Sequence, residues 1–141
     1  MWYKPYKLDD LKSMKRGGGM AENMGLEIIE ISENGLIGRL PVDERTKQPF
    51  GILHGGASCV LSESLGSIAA WMCIDPSKKR AVGLEINANH IRSVSEGYVK
   101  GVCEPIHIGR RTHVWNTNIF DQNDKLVCTS RLTVAILDIE K

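Results

Sequence analysis

Glu63 is the only acidic side chain between His54 and Met72, a stretch otherwise made of small and apolar residues. Burying an unpaired carboxylate among such neighbours would cost several kcal/mol. Glu63 therefore either belongs to a structural ion pair or lines a concavity, where it can serve as nucleophile or general base. At 100° per residue, Gly56, Cys59, Val60, Gly66, Ser67 and Ala70 share its helical face. Nearly all are small, which leaves room for a ligand.

About two turns earlier, His54-Gly55-Gly56 opens the same stretch. The first N–H groups of a helix lack intrahelical acceptors and sit at the positive end of its dipole. A preorganised donor there, with Gly55 allowing close approach, suits a carbonyl oxygen that becomes anionic and can contribute roughly 10² to 10³ in rate. Paired glycines also begin helices for steric reasons alone, and it is their combination with a carboxylate about two turns on that strengthens the reading of a site for a developing oxyanion. Cys59 is a rival nucleophile on the Glu63 face, but the sequence offers it no evident histidine base.

Two further groups could hold an anion. Asn89, His90, Arg92 and Ser93 end an alternating segment, and His107, Gly109, Arg110 and Arg111 form a basic turn. A surface histidine and an ordinary basic turn are the structural alternatives. Cys59, Cys73, Cys103 and Cys128 are widely spaced without a Cys-x-x-Cys pair, so we expect reduced, mostly buried thiols and no metal.

These residues must be positioned by recognisable elements. The stretch from about His54 to Met72 has no proline and is apolar all round, as in a buried helix. Gln48, Pro49 and their polar neighbours from Asp43 form a loop into its entrance. Leu26 to Ile31 and Leu36 to Leu40 flank Asn34-Gly35, a hairpin signal resting on residues that tolerate positive φ. Val82, Leu84, Ile86 and Ala88 alternate with polar residues or glycine, as along one face of a strand. Tyr98 to Cys103, Thr112 to Phe120 and Leu126 to Leu137 follow as strands with short turns between them, so neighbours should be antiparallel. Leu8, Leu11 and Met14 suggest a short helix stopped at Gly17 to Gly19. The order is ββαββββ, an α+β arrangement for one domain spanning residues 1–141.

Composition narrows the function classes. A net charge of +1 over 141 residues argues against nucleic-acid binding. The longest stretch free of formal charge, Gln48 to Ser62, is too short for a membrane helix. No signal peptide is visible, and a cytoplasmic location is expected.

The runs Arg45-Thr46-Lys47-Gln48-Pro49-Phe50-Gly51, His54-Gly55-Gly56-Ala57-Ser58 and Glu63-Ser64, with Gly83-Leu84-Glu85-Ile86-Asn87-Ala88-Asn89-His90, closely resemble the hotdog-fold thioesterases of the PaaI-like superfamily. Within it the similarity is greatest to the branch serving menaquinone biosynthesis and enterobactin-pathway proofreading. The resemblance covers essentially the whole chain. It implies a curved six-stranded antiparallel sheet wrapped round a long central helix, in a homotetramer built as a dimer of dimers with active sites at the dimer interface. It puts the catalytic carboxylate on Glu63, the carbonyl-polarising N–H on Gly55, and polar support on Gln48, His54 and Ser67. It places acyl or CoA contacts near Gly83, His90, Arg92, Ser93 and the stretch His107, Gly109, Arg110, Arg111 and Thr112. Arg110 departs from the serine frequent at that position, which bears on the nucleotide contacts. The implied reaction is hydrolysis of an aromatic acyl-CoA, naphthoyl or related, without metal or redox cofactor. Proofreading of aryl carrier-protein thioesters, a hydroxyacyl-thioester dehydratase and a non-catalytic acyl-CoA-binding protein are the alternatives.

Overall fold

The computed structural model describes residues 1–13 and 18–139. Two short helices, α1 (Leu8–Ser13) and α2 (Met20–Asn23), precede β1 (Glu27–Ile31), β2 (Leu36–Pro41), the long helix α3 (Gly55–Met72), β3 (Lys79–His90), β4 (Tyr98–Ile108), β5 (Thr112–Asp121) and β6 (Leu126–Asp138). The strands form one antiparallel sheet in the order β1-β2-β4-β5-β6-β3, with α3 packed along one face. This is the hotdog fold. β3 follows the helix but crosses to the far edge, where among the described residues it pairs with β6 alone.

Burial alternates along β5, so that His113, Trp115, Thr117 and Ile119 all turn towards α3. Leu36, Leu40, Leu61, Leu65, Val99 and Trp115 are fully buried between sheet and helix. Glycines let the two layers close. A Cβ at Gly38 or Gly101 would lie 2.8 or 3.0 Å from the Leu65 side chain, and one at Gly66 would lie 2.7 Å from Leu132. The small-residue face read around Glu63 therefore divides: Gly66 and Ala70 are buried, while Cys59, Glu63 and Ser67 remain half-buried. The N-terminal segment closes the far end of the core. Trp2 stacks on Trp115, Tyr6 packs on Trp71, and Tyr3 N–H donates to the Met72 carbonyl at 2.8 Å.

Several local expectations change. The first hairpin forms, but neither Asn34 nor Gly35 has positive φ. Ser32 N–H and Oγ–H instead donate to the Gly35 carbonyl, and Gly35 is required because a Cβ there would overlap the Cys103 carbonyl on β4. β3 does not keep one alternating face. A bulge between Gly83 and Glu85 puts an extra residue into the strand, leaving Val82 and Leu84 exposed, whereas Ile86, Ala88 and His90 pair opposite the buried Leu132, Ser130 and Cys128.

β4 continues beyond Cys103 through Pro105 to Ile108. Its pairing with β2 ends at Cys103, so from Pro105 onward β4 bonds only to β5 and has a free edge that tolerates the missing N–H. His107 is consequently a strand residue rather than part of the turn. α1 begins at Leu8 as read, whereas Met14 and Gly17 of that reading lie outside the described residues. Among the described residues no helix is long and apolar enough to cross a membrane.

Candidate active site

The loop before α3 is anchored from within. The Thr46 hydroxyl, on a buried residue, donates to the Pro41 carbonyl at 2.6 Å and accepts from Asp43 N–H at 3.1 Å. Arg45 pairs with Asp43 at 2.7 Å and holds its carboxyl below the usual carboxylate range. His54 N–H then donates to the Thr46 carbonyl, and Leu53 N–H to that of Val94. Thr46 was not singled out from sequence, because only the folded loop shows its hydroxyl serving both ends.

His54 is the N-cap of α3, and its side chain decides which donors remain free. Gly56 N–H donates to His54 Nδ1 at 2.8 Å, while Ala57 and Ser58 N–H reach the His54 carbonyl at 2.9 and 3.4 Å. Gly55 N–H has no acceptor among the described residues. Because Nδ1 accepts, the neutral imidazole carries its proton on Nε2, free to donate elsewhere. The helix start thus presents one uncommitted backbone donor at the residue whose missing side chain permits approach. The His90 ring lies directly beside it: a Cβ at Gly55 would stand 2.8 Å from His90 Nε2.

A cleft of about 280 Å³ opens over this point. Its polar lining is Gln48, Gly55, Ser58, His90, Arg92 and Ser93, and its apolar lining is Ile52, Leu53, Ile91 and Val127. Gln48 Oε1 accepts from Phe50 N–H across the turn, which leaves the amide NH2 as the free donor end. Ser58 escaped the sequence reading because the helical face was drawn around Glu63. One drawn around Gly55 reaches Ser58 a turn later.

Glu63 is held elsewhere. Its Oε1 accepts from Ser67 Oγ at 3.4 Å, and its carboxylate lies against Gly83 of β3. Eight residues along the helix from Gly55, it is roughly 12 Å away along the axis, and it does not line the cleft. Cys59, beside it, has its thiol pKa pushed up by burial and then by the Glu63 charge. That disfavours the thiolate an attacking cysteine needs.

A third group gathers at the β4–β5 turn. Gly109 N–H donates to the Thr112 carbonyl, and Ile136 N–H to that of Arg111. Lys79, Arg110 and Arg111 line a second cleft of about 490 Å³ together with Asp138, to which Lys79 is paired at 3.8 Å. The anticipated site residues thus form three groups in one chain: Gln48, His54, Gly55, His90, Arg92 and Ser93; Glu63, Ser67 and Gly83; and His107 to Thr112.

A helix N-terminus offering a free N–H, a carboxylate on the same helix and a hotdog sheet suit an enzyme that hydrolyses thioesters. The chain belongs to the thioesterase superfamily, whose family model matches residues 50–128. It is 50% identical over 137 residues to the 1,4-dihydroxy-2-naphthoyl-CoA hydrolase of Escherichia coli K12, covering 97% of this chain and 99% of that one. It is 41% identical to the proofreading thioesterase EntH of Cronobacter turicensis, covering 97% and 98%. In structure it is similar to a mutant of thioesterase PA1618 from Pseudomonas aeruginosa with one glutamine replaced by alanine, at TM-score 0.94 and 40% identity over 98% and 99% of the chains. SAV0944 from Staphylococcus aureus, at TM-score 0.83 and 39% identity over 86% of this chain and 100% of that one, was solved with a glutamate replaced by alanine and, separately, a glutamine. Those two residues stand fifteen apart, the separation of Gln48 and Glu63 here.

Proposed function

We propose that the protein hydrolyses an aromatic acyl-CoA, 1,4-dihydroxy-2-naphthoyl-CoA or a related aryl-CoA, to the free acid and CoA. The observation that carries this reading is the uncommitted Gly55 N–H at the start of α3, beneath a cleft with an apolar wall and a polar one. The acyl class follows the half-identical Escherichia coli relative.

The thioester oxygen takes the Gly55 N–H, and the helix dipole stabilises the negative charge that develops on it. Gln48 NH2 and His54 Nε2–H orient the carbonyl or the attacking water. An ionised Glu63, steadied by Ser67, either attacks the carbonyl carbon, giving a mixed anhydride and CoA thiolate before water cleaves the anhydride, or removes a proton from water that attacks directly. The 15-residue glutamine–glutamate separation shared with SAV0944 supports assigning Gln48 and Glu63 to one reaction. His90, Arg92 and Ser93 line the approach of the CoA arm past Gly83. Arg110, Arg111 and Thr112, with His107 and Gly109 behind them, offer a basic turn to its phosphates.

Gly55 and Glu63 of one chain do not face a common cleft. The reading therefore takes the carboxylate from a second copy, joined along the free β3 edge, within a homotetramer of two dimers. The whole chain serves as one domain acting in the cytoplasm. Thiol release across naphthoyl-, benzoyl- and alkanoyl-CoA esters tests the reading. Turnover of aryl esters at least tenfold above alkanoyl esters supports it, and no release from any acyl-CoA overturns it. The EntH relative favours one second reading, an aryl thioester carried on a protein, for which the same assay with a loaded carrier protein would give the higher kcat/KM.

A further inference from the structure

Two buried polar atoms on β5 lack partners, and they are complementary. His113 is 2% exposed and Trp115 fully buried, yet His113 Nδ1 and Trp115 Nε1 have no hydrogen-bond partner among the described residues. The two side chains are inner-face neighbours on the strand, with ring centroids 6.3 Å apart and planes at 60°. Indole Nε1–H can only donate, and Nδ1 of a neutral imidazole protonated on Nε2 can only accept. Buried groups of this kind are seldom left unsatisfied, and a water with polar partners is the usual remedy.

We propose that one internal water binds between Trp115 and His113, accepting from Nε1–H and donating to Nδ1, and that it locks His113 as a positioning residue for the adjoining β4–β5 turn. The chemical class of the ligand follows from the pair, since only a group that both accepts and donates satisfies both atoms. Burial pushes the His113 pKa down, with the charges of His107 and Lys79 acting in the same direction and the Gly109 carbonyl opposing. The neutral ring required by the bridge is therefore the favoured one. Trp2 stacks nearly parallel on Trp115, and Trp2 Nε1–H is itself committed to the Ser32 carbonyl at 3.2 Å. It cannot supply the missing donor.

The consequence lies at the turn. His113 is the second residue of β5, directly after the segment that presents Arg110 and Arg111. A fixed imidazole at that point holds the register in which the Gly109–Thr112 and Arg111–Ile136 bonds form. This consequence rests on the proposed reading that the turn meets the nucleotide end of an acyl-CoA.

The water itself is tested on the full-length protein without substrate, by NMR of the Trp115 indole N–H. A protected resonance with a cross-peak to a long-lived water, lost in His113→Leu, is expected. A protected resonance with no water cross-peak, or a crystal structure placing protein atoms on both nitrogens, overturns the site. The positioning role is tested by kinetics of His113→Leu and His113→Gln with one acyl group carried on CoA and on pantetheine. His113→Leu should raise KM for the CoA ester about fivefold with kcat unchanged and leave the pantetheine ester unaffected, while His113→Gln, which keeps an acceptor, recovers most of the loss. Equal effects on both esters would overturn it. Parent enzyme inactive on every thioester would refute the functional reading instead, leaving the water site standing on its NMR signature.

Discussion

Gly83 of β3 lies against the carboxylate of Glu63 on α3 so closely that a Cβ at Gly83 would overlap Glu63 Oε1. The strand thereby fixes where the helix can hold its only charge, with Ser67 as the supporting donor. A change on β3 should consequently be felt in the chemistry before it is felt in the fold.

Gly83→Ala places a methyl group in that contact. The obstructing atom ends a flexible side chain, and Gly83 has no positive φ that would strain an alanine. Melting temperature should stay within a few degrees of the parent while kcat falls at least roughly tenfold, about 1.4 kcal/mol of barrier. Unchanged kcat would mean that the position of Glu63 does not matter.

Glu63→Gln nearly preserves shape and hydrogen bonding but removes the charge needed by a nucleophile or general base. Loss of at least roughly a hundredfold in rate, about 2.7 kcal/mol, is expected, with near-parental melting and retained affinity for a non-hydrolysable acyl-CoA analogue. A structural role would show the converse: near-parental hydrolysis by a less stable protein.

Cys59→Ser should keep more than about half the parental kcat. Desolvation and the neighbouring Glu63 both raise the thiol pKa, so the protonated form dominates at neutral pH. A loss comparable to that of Glu63→Gln would return the cysteine to the reaction.

The long helix and the order of strands along the chain were legible because each rests on local pattern, the period of the apolar residues and the placement of turn residues between them. What was not legible depends on contacts distant in sequence. Gly35 reads as a turn glycine, but its role comes from the Cys103 carbonyl on β4. The alternation of Val82 to Ala88 gives no sign of the bulge that turns Val82 and Leu84 outward. Helical rise and a rotation of about 80° already separate Gly55 from Glu63, whereas the joining of His90, Arg92 and Ser93 to Gly55 rather than to Glu63 shows only in the fold.

The burial of His113 gives stability a pH dependence of definite sign. Its folded pKa is lowered from 6.5, so the unfolded chain binds the proton more readily. The contribution is complete above about pH 6.5 and declines as pH falls from there towards the folded pKa, by at most about 1.4 kcal/mol per pH unit. Between about pH 7.5 and 5.5 the parent's melting temperature should fall further than that of His113→Gln. Identical slopes would remove His113 from the account.

The last prediction concerns the free edge of the sheet. β3 is twelve residues long, hydrogen-bonds on one side only, and exposes Val82 and Leu84, the latter by 64%. Despite the charges of Lys79, Arg80 and Glu85, this edge leaves apolar side chains in solvent at its bulge, and a second copy covering them would also supply the carboxylate missing from the Gly55 cleft. A lysine at an unpaired edge is a known deterrent to such pairing. Leu84 is the extra residue of the bulge and makes no core contact that a lysine would break. Leu84→Lys should therefore shift sedimentation at micromolar concentration from oligomer towards monomer and lower kcat/KM at least tenfold, with circular dichroism unchanged. Activity per chain should recover as protein concentration rises, since reassociation restores the site by mass action. A monomeric parent with full activity, or a monomeric Leu84→Lys that hydrolyses at the parental rate at every concentration, would show that one chain brings its own Glu63 to its own Gly55.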